Sequence, residues 1–284
     1  MTFRVLACLM LCPALLPAQQ TIDRRFPVNP DASIRIYLPA GKAIVSGWDR
    51  DTIAVVARIP AGGGSFFGGG LGAAAKLGIE GDESGAGPGT ELVVQVPRRA
   101  RLWIKGATAA VEVTGTQGEL DVLSVNGAIT VRGQPTIASL ESIDGPITVE
   151  AVAPVLRART SGGRVSVRSK AGDLSVETVS GAVEVASGAL DRGRLETVGG
   201  SIRFSGNLAP AALLETETHS ADIHLQFVGA VNAEFRLASP GGAIVNQLDG
   251  TRQPVKGKTL VFGAGTPGAT VSARSLKGTV TVTR

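Results

Sequence analysis

His219 and His224 are the only two histidines of the chain, and with Asp222 between them they could offer two imidazoles and a carboxylate to a metal ion. On a strand, residues two apart share a face, so Asp222 and His224 project together while His219 projects the other way. The spacing therefore predicts a surface irregularity, and neither a metal ion nor another cofactor is expected.

A second group of reactive types lies in PRRARLWIK (97–105), where Arg98, Arg99, Arg101 and Lys105 surround Trp103. Such a group could engage an anionic envelope surface, a lipopolysaccharide or an acidic glycan. The plainer reading is a polar turn entering a strand with Leu102 and Ile104 inward. GWDRD (47–51) adds Trp48, either as a sugar-stacking residue or as a cover over the open end of a core. Trp48, Arg98, Arg99, Arg101 and Lys105 are the candidate binding residues.

The acids run in single file at Glu141, Glu177, Glu196 and Glu217, with Arg159 interrupting the row. Polysaccharide lyases and hydrolases need carboxylates that converge on one bond, and no aspartate cluster recurs beside this row. The calcium-binding β-roll pattern is missing from GGSIRFSGN (199–207), and the chain has no GxSxG elbow or phosphate loop. No catalytic residue is assigned. A polysaccharide-acting enzyme of β-helix type is the alternative to a non-enzymatic protein.

These residues are carried by a repeat. A turn glycine recurs at Gly127, Gly145, Gly163, Gly181 and Gly200, then Ala221, Gly242 and Gly278, at steps of 18, 18, 18, 19, 21, 21 and 36. The last step reads as two periods, and the column extends back to Ala109. Two and four residues after the marker stand β-branched residues such as Val183 and Val185, and three before it a Ser or Thr such as Thr178. Alternation places these inward. Outward positions hold Thr130, Thr148, Ser166, Glu184, Arg203 and His224 on one strand and the glutamate row on the other.

A fixed period of this kind predicts an all-β, parallel β-solenoid of about 18-residue coils. A chain of antiparallel hairpins explains each turn locally, but it does not require one residue type at every eighteenth position. Ladder stacking does, and a buried hydroxyl column can then satisfy turn backbone groups. The glycines are expected to supply positive φ at the corners. Eight or nine coils would make a rod about 40 Å long.

Upstream, residues 33–60 contain three alternating strands suited to capping the stack, because bare edge strands invite pairing with other chains. Residues 61–89 are too glycine-rich and aperiodic to predict packing, and are expected to form a flexible insertion between paired strands. The organisation is thus 1–18 leader, 19–60 β cap, 61–89 insertion and 90–284 repeats.

MTFRVLACLMLCPALLPAQQ has the charge, apolar run and small residue of a secretory signal peptide, with cleavage expected after Ala18. Val5–Cys8 has little apolar sequence before it, unlike a lipoprotein signal. Both cysteines lie in this segment, so the exported chain would have none. It would carry 27 basic against 24 acidic residues, too mild a balance for nucleic-acid binding. No later stretch is apolar enough for a stable membrane span.

AGKAIVSGWDRDTIAVVARI, then ELVVQVP, then units such as SGAVEV (180–185) and GPITV (145–149) resemble the bacterial putative-adhesin family of β-repeat envelope proteins. This family is one of largely unknown function. The resemblance implies an exported β-solenoid without recognised catalytic residues, and the insertion at 61–89 departs from it. The expected role is a binding or scaffold protein in the periplasm or at the cell surface. Its partner would be an envelope glycan or a surface protein, with edge-to-edge self-association as a further mode.

Overall fold

The computed structural model describes residues 19–81, 89–248, 253–255, 259–266 and 268–284. The expected leader, with both cysteines, lies outside the described residues, as do 82–88 of the insertion. Every described element is a strand. The chain opens with β1 (Gln20–Leu38), β2 (Lys42–Trp48), β3 (Thr52–Ile59), β4 (Ser65–Glu80), β5 (Glu91–Pro97), β6 (Arg101–Gly106) and β7 (Ala110–Thr114). Its middle holds β8 (Glu119–Ser124), β9 (Ile129–Gly133), β10 (Ile137–Ser142), β11 (Ile147–Thr160), β12 (Val165–Thr178), β13 (Val183–Thr197) and β14 (Ile202–Thr218). It closes with β15 (Ile223–Phe227), β16 (Ala233–Ala238), β17 (Ile244–Gln247), β18 (Gln253–Val255), β19 (Thr259–Ala264), β20 (Ala269–Ser275) and β21 (Val280–Thr283).

The repeat becomes two ladders. Residues 18 apart pair in parallel, as Ile147 does with Val165 and Leu156 with Leu174. Among the described residues, antiparallel pairings are found only near the two ends. One ladder carries the strands that finish on the Ser/Thr column, and the other carries the strands that follow the turn. The long strands β11 to β14 start in the second ladder and finish in the first. Both inner faces bury the alternating apolar residues, including Val183, Val185, Leu195 and Ile202. The tightly packed interior between the ladders is the main source of stability.

The Ser/Thr column is wholly buried and hydrogen-bonded. Thr178 Oγ1 accepts from Gly181 N at 3.0 Å and donates to the Ser161 carbonyl of the layer below at 3.3 Å. Ser124, Ser142, Thr160 and Thr197 repeat both bonds in their own layers. The adjoining glycine has a reason other than the expected one. Gly127, Gly145, Gly163, Gly181 and Gly200 are not among the positive-φ residues. A Cβ at Gly181 would instead overlap the carbonyl oxygen of Gly163 directly beneath it. Close stacking of turns excludes the side chain.

Layer order departs from chain order at both ends. In the first ladder β1 lies between β4 and β6, and in the second β2 lies between β5 and β7. At the other end β20 lies between β14 and β16, and β21 between β15 and β17. Each terminal segment is therefore threaded inside the stack. The 36-residue step to Gly278 is not two successive layers, because Gly278 stacks on Ala221 and Gly242 stacks on Gly278. Each ladder has eleven parallel strands among the described residues, in place of eight or nine. At about 4.8 Å per step this gives a stack about 48 Å long.

Two expectations for the N-terminal region change as a result. Residues 33–48 form an interior layer, and the covering is made by β3, the first part of β1 and β4. The expected flexible insertion does lie between the paired β3 and β5, but Ser65–Glu80 of it is strand. Leu77 and Ile79 are buried there, and Lys76 and Leu77 pair in parallel with Arg35 and Ile36. At the opposite end Phe262 of β19 stacks on Phe235 at 4.8 Å and 5°.

Candidate functional site

The outer face of the first ladder changes character along its length. In the middle, cations are matched to acids of the next layer. Arg159 pairs with Glu177 at 2.7 Å. The second ladder does the same, with Arg132 bonded to Glu150 at 3.0 Å and Arg164 to Glu184 at 2.8 Å. Near the N-terminal end of the first ladder the pattern stops, and aromatic residues enter.

β1 projects Arg35 and Tyr37 outward because Ile34, Ile36 and Leu38 take the inward positions. β6 does likewise with Arg101, Trp103 and Lys105 around buried Leu102 and Ile104. Parallel register sets Arg35 against Trp103 and Tyr37 against Lys105. The Tyr37 and Trp103 rings meet edge to face, 5.2 Å between centroids at 63°. Phe67 of β4 approaches Tyr37 at 6.2 Å, tilted by 48°. The Lys76 ammonium, from the same strand, lies 5.0 Å from the Tyr37 centroid and 5.4 Å from that of Phe67. Cation–π attraction holds it over the rings.

The three rings are half-buried and all four cations are exposed. Among the described residues Arg35, Lys76, Arg101 and Lys105 join none of the ion pairs found elsewhere on the molecule. Asp121, the register partner of Trp103, bounds the patch on the β8 side. Although it reaches solvent, desolvation against the sheet, and secondarily Glu141, pushes its carboxyl above the usual 3.8.

The candidates drawn from the sequence are divided by the fold. Arg101 and Lys105 join the patch. Trp48 sits at the β2–β3 turn, where its indole donates to the Thr52 carbonyl at 2.7 Å. Arg98 donates its backbone N–H to the Trp48 carbonyl at 3.1 Å and pairs with Asp49 at 2.7 Å. Arg99 is exposed in the β5–β6 turn. Tyr37, Phe67, Lys76 and Arg35 were missed because they are distant in sequence. Alternation within SIRIYLP marks Arg35 and Tyr37 as outward, but only the layer order brings them to Trp103.

A second feature is a shallow groove of 470 Å³ along the glutamate row. Glu177, Glu196 and Glu217 form one side, the exposed Val179 and Val198 the other, and His219 lies toward one end. Arg194 bonds Glu196 at 2.7 Å, and that bond raises the guanidinium above its ordinary value. His224 lies on the other ladder's outer face with Glu184 and Arg203, so the two histidines do not converge. Asp222 accepts from Thr279 N at 2.7 Å and so ties the threaded C-terminal layer in place. Among the described residues no group of three or more His, Cys, Asp or Glu is arranged to hold a metal ion.

No protein-family model matches the chain, and no curated protein matches it. Several solved structures align with the chain over most of its length at low identity. A "putative adhesin" from Bacteroides fragilis is 11% identical, with a TM-score of 0.49 over 94% of this chain and 98% of its own. A second, from Parabacteroides merdae, is 10% identical with a TM-score of 0.48 over 93% and 97%. A "putative lipid binding protein" from Parabacteroides distasonis is 10% identical with a TM-score of 0.41 over 93% and 97%.

Proposed function

We propose that this chain is an exported, non-enzymatic parallel β-solenoid that acts as an adhesin-like binding or scaffold protein at the bacterial cell envelope. The observation that carries the reading is the break in charge pairing at one end of the first ladder. There, unpaired cations gather around half-buried aromatic rings on an open face. Like charges gathered on one face repel one another and attract an anionic partner, and aromatic surface left partly open marks interaction sites. The stack supplies rigidity, and its outer columns supply contact surface. The resemblance of GWD and the SGAVEV-type units to the adhesin family agrees with this role.

The partner in this reading is an envelope glycan or a surface protein, reached from the periplasm or the cell surface. Self-association through strand edges is a secondary mode, since among the described residues β4 pairs with β1 alone and β19 with β16 alone. The enzyme alternative rests on the glutamate groove, where Glu177 and Glu196 are already engaged by Arg159 and Arg194. Binding of the purified protein to intact cells and isolated envelope glycans, with assay for released sugar, separates the two. Retention without release supports the proposal, and release of product overturns it.

A further inference from the structure

We propose that the face formed by Tyr37, Phe67 and Trp103 with Arg35, Lys76, Arg101 and Lys105 is a binding site for an acidic polysaccharide. This deepens the envelope-binding reading and rests on it. The apolar C–H face of a pyranose ring covers an aromatic side chain, and its carboxylate or sulfate then needs a cation beside that ring. Trp103 meets this requirement on several sides. Arg101 and Lys105 flank it two residues away along β6, about 7 Å in each direction, and Arg35 is its register partner on β1. Lys76 is held over Tyr37 and Phe67 and extends the positive surface to β4.

Ring orientation selects among polyanions. A nucleic-acid strand stacks successive bases on roughly parallel planes, whereas these rings are tilted by 63° and 48°. A polysaccharide turns its apolar faces from one unit to the next and can meet tilted rings in succession. Asp121 sets the boundary on the β8 side and disfavours extension of a polyanion along the stack in that direction.

The test uses the mature chain and polygalacturonate as probe, with dextran, anionic phosphatidylglycerol vesicles and a single-stranded oligonucleotide as competitors, read by calorimetry at two salt concentrations. Polygalacturonate is expected to bind, more weakly at higher salt, and dextran not to bind. Trp103→Ala and Tyr37→Ala are expected to weaken binding about tenfold or more. Lys105→Gln and Lys76→Gln, on exposed side chains that leave the core intact, are expected to weaken it and flatten its salt dependence. Lys170→Gln, elsewhere on the surface, is the control. Undiminished binding by the Lys105 and Lys76 variants, or preference for vesicles or oligonucleotide, would overturn the assignment. If those variants still bind intact cells as the parent does, the site is wrong but the envelope reading survives. If the parent binds polygalacturonate but no envelope material, the envelope reading fails instead.

Discussion

The hydroxyl of Ser275 donates to the carbonyl of Ala221 at 2.7 Å, although the two residues are 54 positions apart. In the middle of the molecule the same bond links Ser142 to Val125, 17 positions apart. The C-terminal layer thus occupies a place that the chain passes by and later fills. Along the chain β16 and β17 come first, set one layer apart from β14 and β15, and β20 and β21 occupy the layer between. Ser239 then donates to the Gly278 carbonyl at 2.7 Å from the far side.

Removal of residues 269–284 should leave a slot one layer wide. The deletion removes the buried Val271, Ala273, Val280 and Val282 and uncovers Leu214 and Leu225. A loss of about 5 kcal/mol is expected, seen in thermal unfolding as a lower and less cooperative transition. A synthetic peptide of the same residues added in trans should restore part of it. An unchanged transition would show that the threaded layer is not integral to the stack.

Gly181→Ala should destabilise by about 1–3 kcal/mol, because the new methyl group meets the Gly163 carbonyl in a rigid turn. Gly69→Ala is the matched control. It has nothing within 4 Å of the added carbon, and its effect should stay within about 0.5 kcal/mol. Urea denaturation of the two variants side by side checks the contrast.

Thr178→Val keeps the volume and removes an acceptor for Gly181 N and a donor to the Ser161 carbonyl. A cost of about 1–3 kcal/mol is expected for leaving these groups unsatisfied. Thr178→Ser, which retains both bonds, should lie near the parent in the same denaturation experiment.

These three outcomes bear on how much the sequence disclosed. The 18-residue step, the inward Val/Ile positions and the hydroxyl column were all legible, because each layer must match the next. The reason for glycine was not, since positive φ and carbonyl approach both favour the same residue. Threading was hidden for a related cause. The Ser275–Gly278 unit has the same local pattern whichever layer it adjoins, so period alone cannot reveal its neighbour. β4 was hidden because SFFGGGLGAAAKLG has weak strand propensity, and pairing with β1 supplies what local preference lacks. For the candidate site, Arg101 and Lys105 could be found beside Trp103 in one segment. Tyr37 and Lys76 reach the patch only through the exchanged order of the first layers.

Asp121→Asn tests the electrostatic boundary of the patch. Its folded carboxyl is raised above 3.8 by desolvation first and Glu141 second, so the ionised form is disfavoured in the folded state. The penalty is present at neutral pH and is relieved as pH falls through the raised folded value; below the unfolded value both states are protonated. Arg157 and Arg159 line the same stretch of surface, and Arg159 is paired with Glu177. The variant should therefore match or exceed the parent's stability at pH 7, and that advantage should disappear below about pH 4. Greater stability of the parent at neutral pH would contradict the sign.

The decisive experiment is binding of the purified protein to intact bacterial cells and isolated envelope polysaccharide, with simultaneous assay of released sugar. Saturable retention, lost on raising salt and without released product, is the predicted result. Release of sugar that disappears with Glu196→Gln would contradict it and move function to the glutamate groove.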